Sequence, residues 1–374
     1  MRILAAYLVC LLAVEAADLP KAVDAAMWDE MKRQELVGLA VGVIMDGRVV
    51  YTRGYGWADR EKQVPVTRAT MFRWASISKS LTAVAAMQLW ERKQLELTTD
   101  VRRLVPEFPA KVAQITLRHL LCHQGGIVHY ANGKVVVTVR RYEQPNPFEN
   151  VLMALDTFKH SPVVNAPGEK FAYTTHGYIL LSAAVERAGK QKFADQVRDR
   201  IAKPLGMKSL QPDYQWRDIP HRAVGYRKRD GKIVPSTNTD VSWKLGGGGY
   251  ISNIDDLAKF ALGLLHHNLV QKDTARKMWT PQKLNNGKFT SYGLGFSIAQ
   301  YHEGKLGKWQ PAKLKHPGPT PITLVGHGGS QEKTRTRLLI IPGQNVGVVV
   351  MTNSENGDST KLAGRLLKVL LAQR

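Results

Sequence analysis

Dense apolar runs mark the two ends of this chain, and a longer, helix-periodic pattern fills its middle. "VGLAVGVIMDGRVVYTRGYGWAD", residues 37 to 59, is two β-rich runs joined by Asp46-Gly47, a dipeptide that predicts a hairpin when it lies between strands. Near the other end "PITLVGHGG", "TRTRLLIIPG" and "NVGVVVMTN" read as three more strands with Pro342-Gly343 at a turn, and "ENGDSTKLAGRLLKVLLAQ" as a closing helix. Ahead of the first strands, "KAVDAAMWDEMKRQ" predicts a helix up to about Leu36, with Asp18 as its cap and Pro20 in its first turn. Between about residues 70 and 290 the patterns are mainly helical: "SLTAVAAMQLWERK", "TLRHLLCHQ", "HGYILLSAAVERAGK" and "SNIDDLAKFALGLL", the last opening on a capping-box-like Ser252 and Asp255.

Strands at both ends and helices between them predict an α/β (α+β) fold in one domain, residues 18–374. An antiparallel sheet of about five strands would come from residues 18–70 and 290–374, flanked by helices, with a mainly helical lobe of about 71–289 inserted. A cleft is expected where the two lobes meet.

The first residues, "MRILAAYLVCLLAVEAADLP", add a targeting expectation. One Arg, an apolar run from Ile3 to Val14 and the small residues Ala16 and Ala17 predict a signal peptide over residues 1–17 and export, periplasmic or secreted. The run is short for a bilayer span, so a retained anchor is the weaker reading. With Cys10 removed, Cys122 remains and no internal disulfide can form. In its apolar helical run that thiol reads as packing rather than as a nucleophile.

Lys plus Arg number 53 against 31 Asp plus Glu, a formal net charge of +22, which favours anionic partners. The charge is spread along the whole chain instead of gathered on one helix or among aromatics, which argues against nucleic acid and leaves an anionic cell-wall polymer or lipid surface. No ligand spacing appears among the 11 histidines: His266 and His267 are adjacent, and no H-E-x-x-H occurs. The "GGGG" at 246–249 lacks the Lys-Ser/Thr of a phosphate loop. Neither a metal nor a nucleotide cofactor is implied, and the oligomeric state is left open.

The stretch "FRWASISKSLTAVAAMQLWERKQ", residues 72 to 94, holds three serines and one lysine at the start of a helix apolar on nearly every side. Ser76 and Lys79, three apart, share one face of the first turn, so the amine can reach the hydroxyl; Ser78 and Ser80 have no such partner. Burial lowers an amine's pKa toward a value at which it accepts a serine proton, and a helix N-terminus offers N–H groups to a developing oxyanion. The S-x-x-K spacing is weak by itself, since Ser330 and Lys333 match it too. Two other stretches add weight: "APGEKFAYTTHGYILLSAAVE" places Tyr173 in a turn-rich segment ahead of a helix, and "LVGHGGSQEKTRTRLLIIP" places His327-Gly328-Gly329 at a strand end. A tyrosine between cationic neighbours is expected to have a depressed pKa and to act as a base. Gly328 and Gly329 would let backbone approach a substrate that a Cβ would exclude.

In this order and context the three elements resemble the S-x-x-K, Y-x-N and K-T-G (or His-variant) motifs of the serine β-lactamase and penicillin-binding-protein superfamily. With "GGGGYISNIDDLAKF" and "VMTN", the resemblance covers residues 25 to 370. It is strongest to the class C-like branch, which includes the mitochondrial serine β-lactamase-like proteins and bacterial relatives, on "ASISKSLTAVAAMQLWE", "LVPEFP", "HQGGIVHY" and "YTTHGYILLSAAVERA". The resemblance implies a β-lactamase/transpeptidase-like fold, Ser76 as acylated nucleophile, Lys79 as its proton acceptor and Tyr173 as the relay to the leaving group. It further implies an oxyanion hole of the Ser76 and Ser330 backbone N–H groups, with His327 on the opposite wall.

Two positions depart from the pattern. Thr175 stands for the Asn of Y-x-N, with one donor fewer for Lys79 and a substrate carbonyl. His327 stands for the Lys of K-T-G and, if neutral, weakens the clamp on the carboxylate of a β-lactam or D-Ala terminus. Arg335 or Arg337 could supply that clamp; alternatively Lys333, Arg335 and Arg337 form a solvated basic sheet edge. His129 and Tyr130 are expected on a loop over the cleft mouth. The expectation is an exported serine hydrolase acting on a small-molecule ester, peptide or β-lactam through an acyl-enzyme. A D-alanyl carboxypeptidase or weak β-lactamase, and a non-catalytic wall-binding or anionic-surface-binding module, are the alternatives.

Overall fold

The computed structural model describes residues 19–137, 148, 150–311 and 321–373. The expected signal peptide with Cys10, and Asp18 as helix cap, lie outside these residues. Numbered along the chain, the strands of the main sheet are β1 (Gly38–Met45), β2 (Arg48–Asp59), β3 (Val64–Pro65), β4 (Ser297–His302), β5 (Lys305–Lys308), β6 (Ile322–Gln331), β7 (Thr334–Ile341) and β8 (Val346–Thr352). They pair antiparallel in the order β5-β4-β6-β7-β8-β1-β2-β3.

The expected five strands are β1, β2, β6, β7 and β8, and the sheet has eight. The three unforeseen strands gave little signal. β3 is two residues long, and β4 and β5 ("SIAQYH", "KLGK") carry few apolar side chains to alternate. Their hairpin turns on Glu303-Gly304, at φ of 48° and 77°, in place of the more usual Asn-Gly or Asp-Gly. Between β1 and β2, Asp46 (φ 51°) and Gly47 (φ 70°) adopt the left-handed pair that a two-residue hairpin requires.

At the centre of the sheet β1 pairs with β8, Leu39 opposite Thr352. Both strands are buried on both faces. Leu39, Val41, Val43, Val348 and Val350 pack with helix α1 (19–34) and the C-terminal helix, while Ala40, Ile44, Val349 and Met351 join the larger core that includes Leu257, Phe260 and Ala261. The helices needed below are α2 (Ser78–Glu91), α3 (Thr175–Ala188), α4 (Ile254–Leu265) and α5 (Ser359–Leu371). α5 starts where the Asp358 carboxylate accepts from Thr360 and Lys361 N–H.

α4 starts one position later than its sequence suggested. Asn253 is the cap and accepts from Asp256 N, because Ser252 ends a short strand (Tyr250–Ser252) paired with Phe72–Arg73. α2 is buried on every side from Ser78 to Leu89, as its lack of a polar face demands. Among the described residues no helix is long and apolar enough to cross a membrane.

The basic-edge reading does not hold. β7 lies between β6 and β8, so it is an interior strand; Lys333 sits in the β6–β7 turn at φ 70°, and Arg335 and Arg337 are partly buried.

Candidate active site

Residues 73–75 are fixed from two sides. Trp74 N donates to Tyr250 O at 2.8 Å, while the Thr334 and Thr336 hydroxyls donate to the carbonyls of Arg73 (3.1 Å) and Trp74 (3.0 Å). Within this clamp Ala75 takes φ 48°, a left-handed conformation that costs a residue with a Cβ roughly 1 kcal/mol or more and persists only where surroundings impose it. Across from it lies Gly329, where an added Cβ would meet Trp74 O at 2.5 Å and Ala75 Cβ at 2.9 Å. A Cβ at Gly328 would press on the Arg337 guanidinium at 3.0 Å. The glycine pair thus makes room for this protein's own turn and arginine, where sequence reasoning had reserved the space for substrate.

Ser76 lies on a one-turn 3-10 helix, Ala75–Ile77, in front of α2, and is partly exposed among buried neighbours. The other two serines are committed to structure: Ser78 Oγ accepts from Tyr250 N at 3.3 Å and Ser80 Oγ donates to Gly295 O at 2.9 Å. The second S-x-x-K match is also disposed of, since Lys333 turns away in the β6–β7 hairpin and bonds Asn238.

Lys79 is fully buried. Its Nζ donates to Gly247 O at 2.7 Å and lies 3.2 Å from both Ser76 Oγ and Thr175 Oγ1, with the Tyr173 ring centre at 4.8 Å. Among the described residues no carboxylate comes within 4.0 Å of it. Burial, reinforced by the nearby charge of Lys244, holds its pKa well below the ordinary lysine value. An amine in that state can accept a proton. Thr175, expected to serve both Lys79 and a substrate carbonyl, is buried at the start of α3 and accepts from Lys79.

Tyr173 corrects an expectation. Burial raises its phenol pKa, and a hydrogen bond with Ser76 offsets only part of the rise, so the group is a retained proton rather than a standing base. The cationic neighbours imagined for it are absent in effect, because Lys79 itself is driven toward neutrality. The Tyr173 ring packs on that of His123, centres 4.3 Å apart. His123 is fully buried, with Nδ1 accepting from Thr174 N at 3.2 Å.

His327 ends up with no charge to offer. Burial, then the proximity of Lys79, lowers its pKa to about 3. Its Nδ1 can only donate to Gly328 O (2.6 Å), so Nε2 accepts from the Tyr292 hydroxyl (2.9 Å). His129 is likewise held neutral at about pKa 3, first by burial. Its Nδ1 accepts from Thr175 N at 3.2 Å, which leaves Nε2–H as the donor.

A cavity of about 630 Å³ opens over Ser76 where the lobes meet. Ser76, Tyr173, His327, Gly328, Gly329 and Ser330 line it, with His129 and Tyr130 at one side and Arg335, Arg337 and Thr360 at the other. Pairing of β6 with β4 ends at Gly326, so residues 327–331 present a free strand edge to the cavity. Arg335 is tied to the carbonyls of Gln331 (2.7 Å) and Thr334 (2.8 Å), whereas Arg337 holds Thr360 and keeps a buried Nε without a partner. Among the described residues no three His, Cys, Asp or Glu side chains converge as metal ligands.

Sequence reasoning missed Tyr292, His123, the Gly247 carbonyl and Lys244. A buried phenol or imidazole carries no local signature, and a carbonyl carries none at all.

The chain matches the family model "Beta-lactamase" over residues 23–372. The human "Serine beta-lactamase-like protein LACTB, mitochondrial" is 32% identical over 322 residues, 65% of this chain and 59% of that protein. The chain therefore spans less than two thirds of that relative's length. The "Putative penicillin-binding protein PbpX" of Bacillus subtilis (strain 168) is 28% identical over 257 residues, covering 69% of this chain and 61% of its own. Among solved structures, the octameric penicillin-binding protein homologue from Pyrococcus abyssi superimposes with a TM-score of 0.74 at 26% identity, covering 94% of this chain and 77% of that one. The sheet built from both ends, the inserted helices and the match over nearly all of the sequence have one reading: the chain belongs to the β-lactamase family of serine hydrolases.

Proposed function

We propose that the chain is an exported hydrolase that cleaves ester or amide bonds through an acyl-enzyme on Ser76. The observation that carries this reading is a fully buried amine, Lys79 Nζ, 3.2 Å from the Ser76 hydroxyl with no carboxylate to hold its charge. Ser76 Oγ attacks the carbonyl carbon as its proton passes to Lys79. The developing oxyanion takes hydrogen bonds from Ser76 and Ser330 N–H. The bond to the leaving group breaks as Tyr173 gives that atom its phenol proton, and Tyr173 is reprotonated from the Lys79 ammonium. Water then attacks the acyl ester, its proton moving to the same pair, and Ser76 regains hydrogen as the acid departs.

The raised Tyr173 pKa supports the acid role, since its proton is held until a leaving group needs it. A neutral His327 supports small esters and amides over efficient β-lactam or D-Ala-terminus turnover. Arg337, whose side chain lines the cavity, favours substrates that carry a carboxylate there. His129 Nε2–H suits a carbonyl of the substrate. Export rests on residues 1–17, and the net charge of +22 favours an anionic wall polymer or lipid surface as the place of work. The test is a fluorophosphonate probe followed by mass spectrometry: an adduct on Ser76, absent from Ser76→Ala, is expected. An unlabelled wild-type protein with no hydrolysis of short p-nitrophenyl esters would leave the binding-module reading in its place.

A further inference from the structure

Lys244 is a second buried lysine, and the chemistry above does not use it. It immediately precedes the short helix Leu245–Gly248, whose Gly247 carbonyl accepts from Lys79. Its stem folds over Gly248, where an added Cβ would lie 3.7 Å from Lys244 Cδ, 3.7 Å from the Ala75 carbonyl carbon and 3.2 Å from Gln331 Oε1. The stem and the turn that carries Ser76 are thus both neighbours of Gly248. The ammonium lies 5.3 Å from the Trp243 ring centre, and its nearest carboxylate, Glu332, is 3.9 Å away and half-exposed, beyond hydrogen-bond reach.

We propose that Lys244 is a positioning residue whose charge adds to the burial of Lys79 in leaving that amine ready to take the Ser76 proton. The inference rests on the roles given to Ser76 and Lys79 under Proposed function. Two buried ammonium groups, one donating to the Gly247 carbonyl and the other on the residue that precedes the same short helix, neither hydrogen-bonded to a carboxylate, cannot both keep their protons cheaply. The deeper amine yields. Lys79 is wholly enclosed, whereas burial lowers Lys244 only to about 8, with Glu332 opposing, so at pH 7 the charge resides on Lys244. The other groups around Lys79 do not reverse this: His123, His129 and His327 are neutral, and Tyr173 and Tyr178 hold their protons. Around Lys244, Arg73 adds positive charge and Asp240 opposes it.

The test is the pH dependence of kcat/KM for a neutral p-nitrophenyl ester in wild type, Lys244→Met and Lys244→Arg. Activity needs neutral Lys79, so the rate falls as pH drops through the Lys79 pKa. Removing the Lys244 charge raises that pKa and moves the acid limb up by about one unit, so that on the falling limb Lys244→Met is about tenfold slower than wild type at the same pH. Above about pH 8 wild-type Lys244 loses its own charge, so the two curves converge there. Lys244→Arg keeps the wild-type acid limb. A parallel loss at every pH, with a lower melting temperature, overturns the proposal in favour of simple packing. Should Lys244→Met fail to fold, carbon NMR titration of lysine Cε in wild type and Lys244→Gln decides: a Lys79 pKa raised by about one unit in the variant supports the proposal and an unchanged one overturns it. That readout does not depend on turnover, whereas a missing fluorophosphonate adduct on Ser76 would remove the underlying catalytic reading instead.

Discussion

Arg73 and Lys79 lie six positions apart on either side of the same turn, and both are withdrawn from water, yet their surroundings are opposite. Arg73 Nε meets Asp213 at 2.5 Å, its Nη2 donates to Thr239 O at 2.8 Å, and Arg222 closes on the other Asp213 oxygen at 2.9 Å. Lys79 has two hydroxyls and a carbonyl, and no anion. A buried cation with a matched carboxylate stays charged and braces the chain. One without gives up its proton and becomes a base. The fold uses the first to hold Arg73 and Trp74, and sets the second 3.2 Å from the Ser76 hydroxyl.

Substitutions can break that contrast, and the largest effect belongs to Ser76→Ala. Turnover of esters should drop by about 10⁴-fold or more with the melting temperature unchanged, as rate assays and calorimetry will read. Lys79→Met should cost about 10³-fold in kcat/KM for the same ester while leaving the protein folded. Asp213→Ala should do the reverse. It leaves two guanidinium groups without their shared carboxylate, and denaturant unfolding should register a loss of about 3–5 kcal/mol. If Lys79→Met proves as destabilising as Asp213→Ala, the contrast between bracing and basic cations fails.

The stability of Lys79→Met relative to wild type should also depend on pH, with a definite sign. Lys79 has a folded pKa below its unfolded value of about 10.5, so between the two the unfolded chain binds the extra proton, and wild-type stability rises with pH. The advantage of Lys79→Met should therefore be present at pH 7 and vanish as pH climbs past 10.5. Equal curves at pH 7 and pH 10.5 would show that Lys79 keeps its charge. The smallest effect is on selectivity. Arg337→Gln should raise KM about tenfold for an acyl ester bearing a carboxylate and leave a neutral ester untouched. Arg335→Gln, whose guanidinium already serves two carbonyls, should change neither.

Much of this site was legible wherever local spacing and long-range order coincide. Ser76 and Lys79 are three apart on one turn, and Tyr173 and His327 follow in the right order on the right elements. The strands with dense apolar runs were equally plain, because β1 and β8 are buried on both faces. What escaped the sequence was whatever depends on enclosure. The fate of the Tyr173 proton, the neutrality of His327 and the two occupants opposite Gly328 and Gly329 follow from packing between separate segments, from 9 to 255 positions apart. β4 and β5 escaped for the opposite reason, since a polar outer hairpin needs no apolar alternation to add onto a sheet.

The Thr352 hydroxyl donates to the carbonyl of Gly38 across 314 positions of chain, and Thr334 and Thr336 hold the turn at Arg73 and Trp74. As the polypeptide leaves the ribosome, Ser76 and α2 emerge long before these partners exist. Contacts of such separation form late and slowly. A nascent or truncated chain lacking residues 334–352 therefore carries Ser76 and Lys79 without the clamp that imposes the conformation of Ala75.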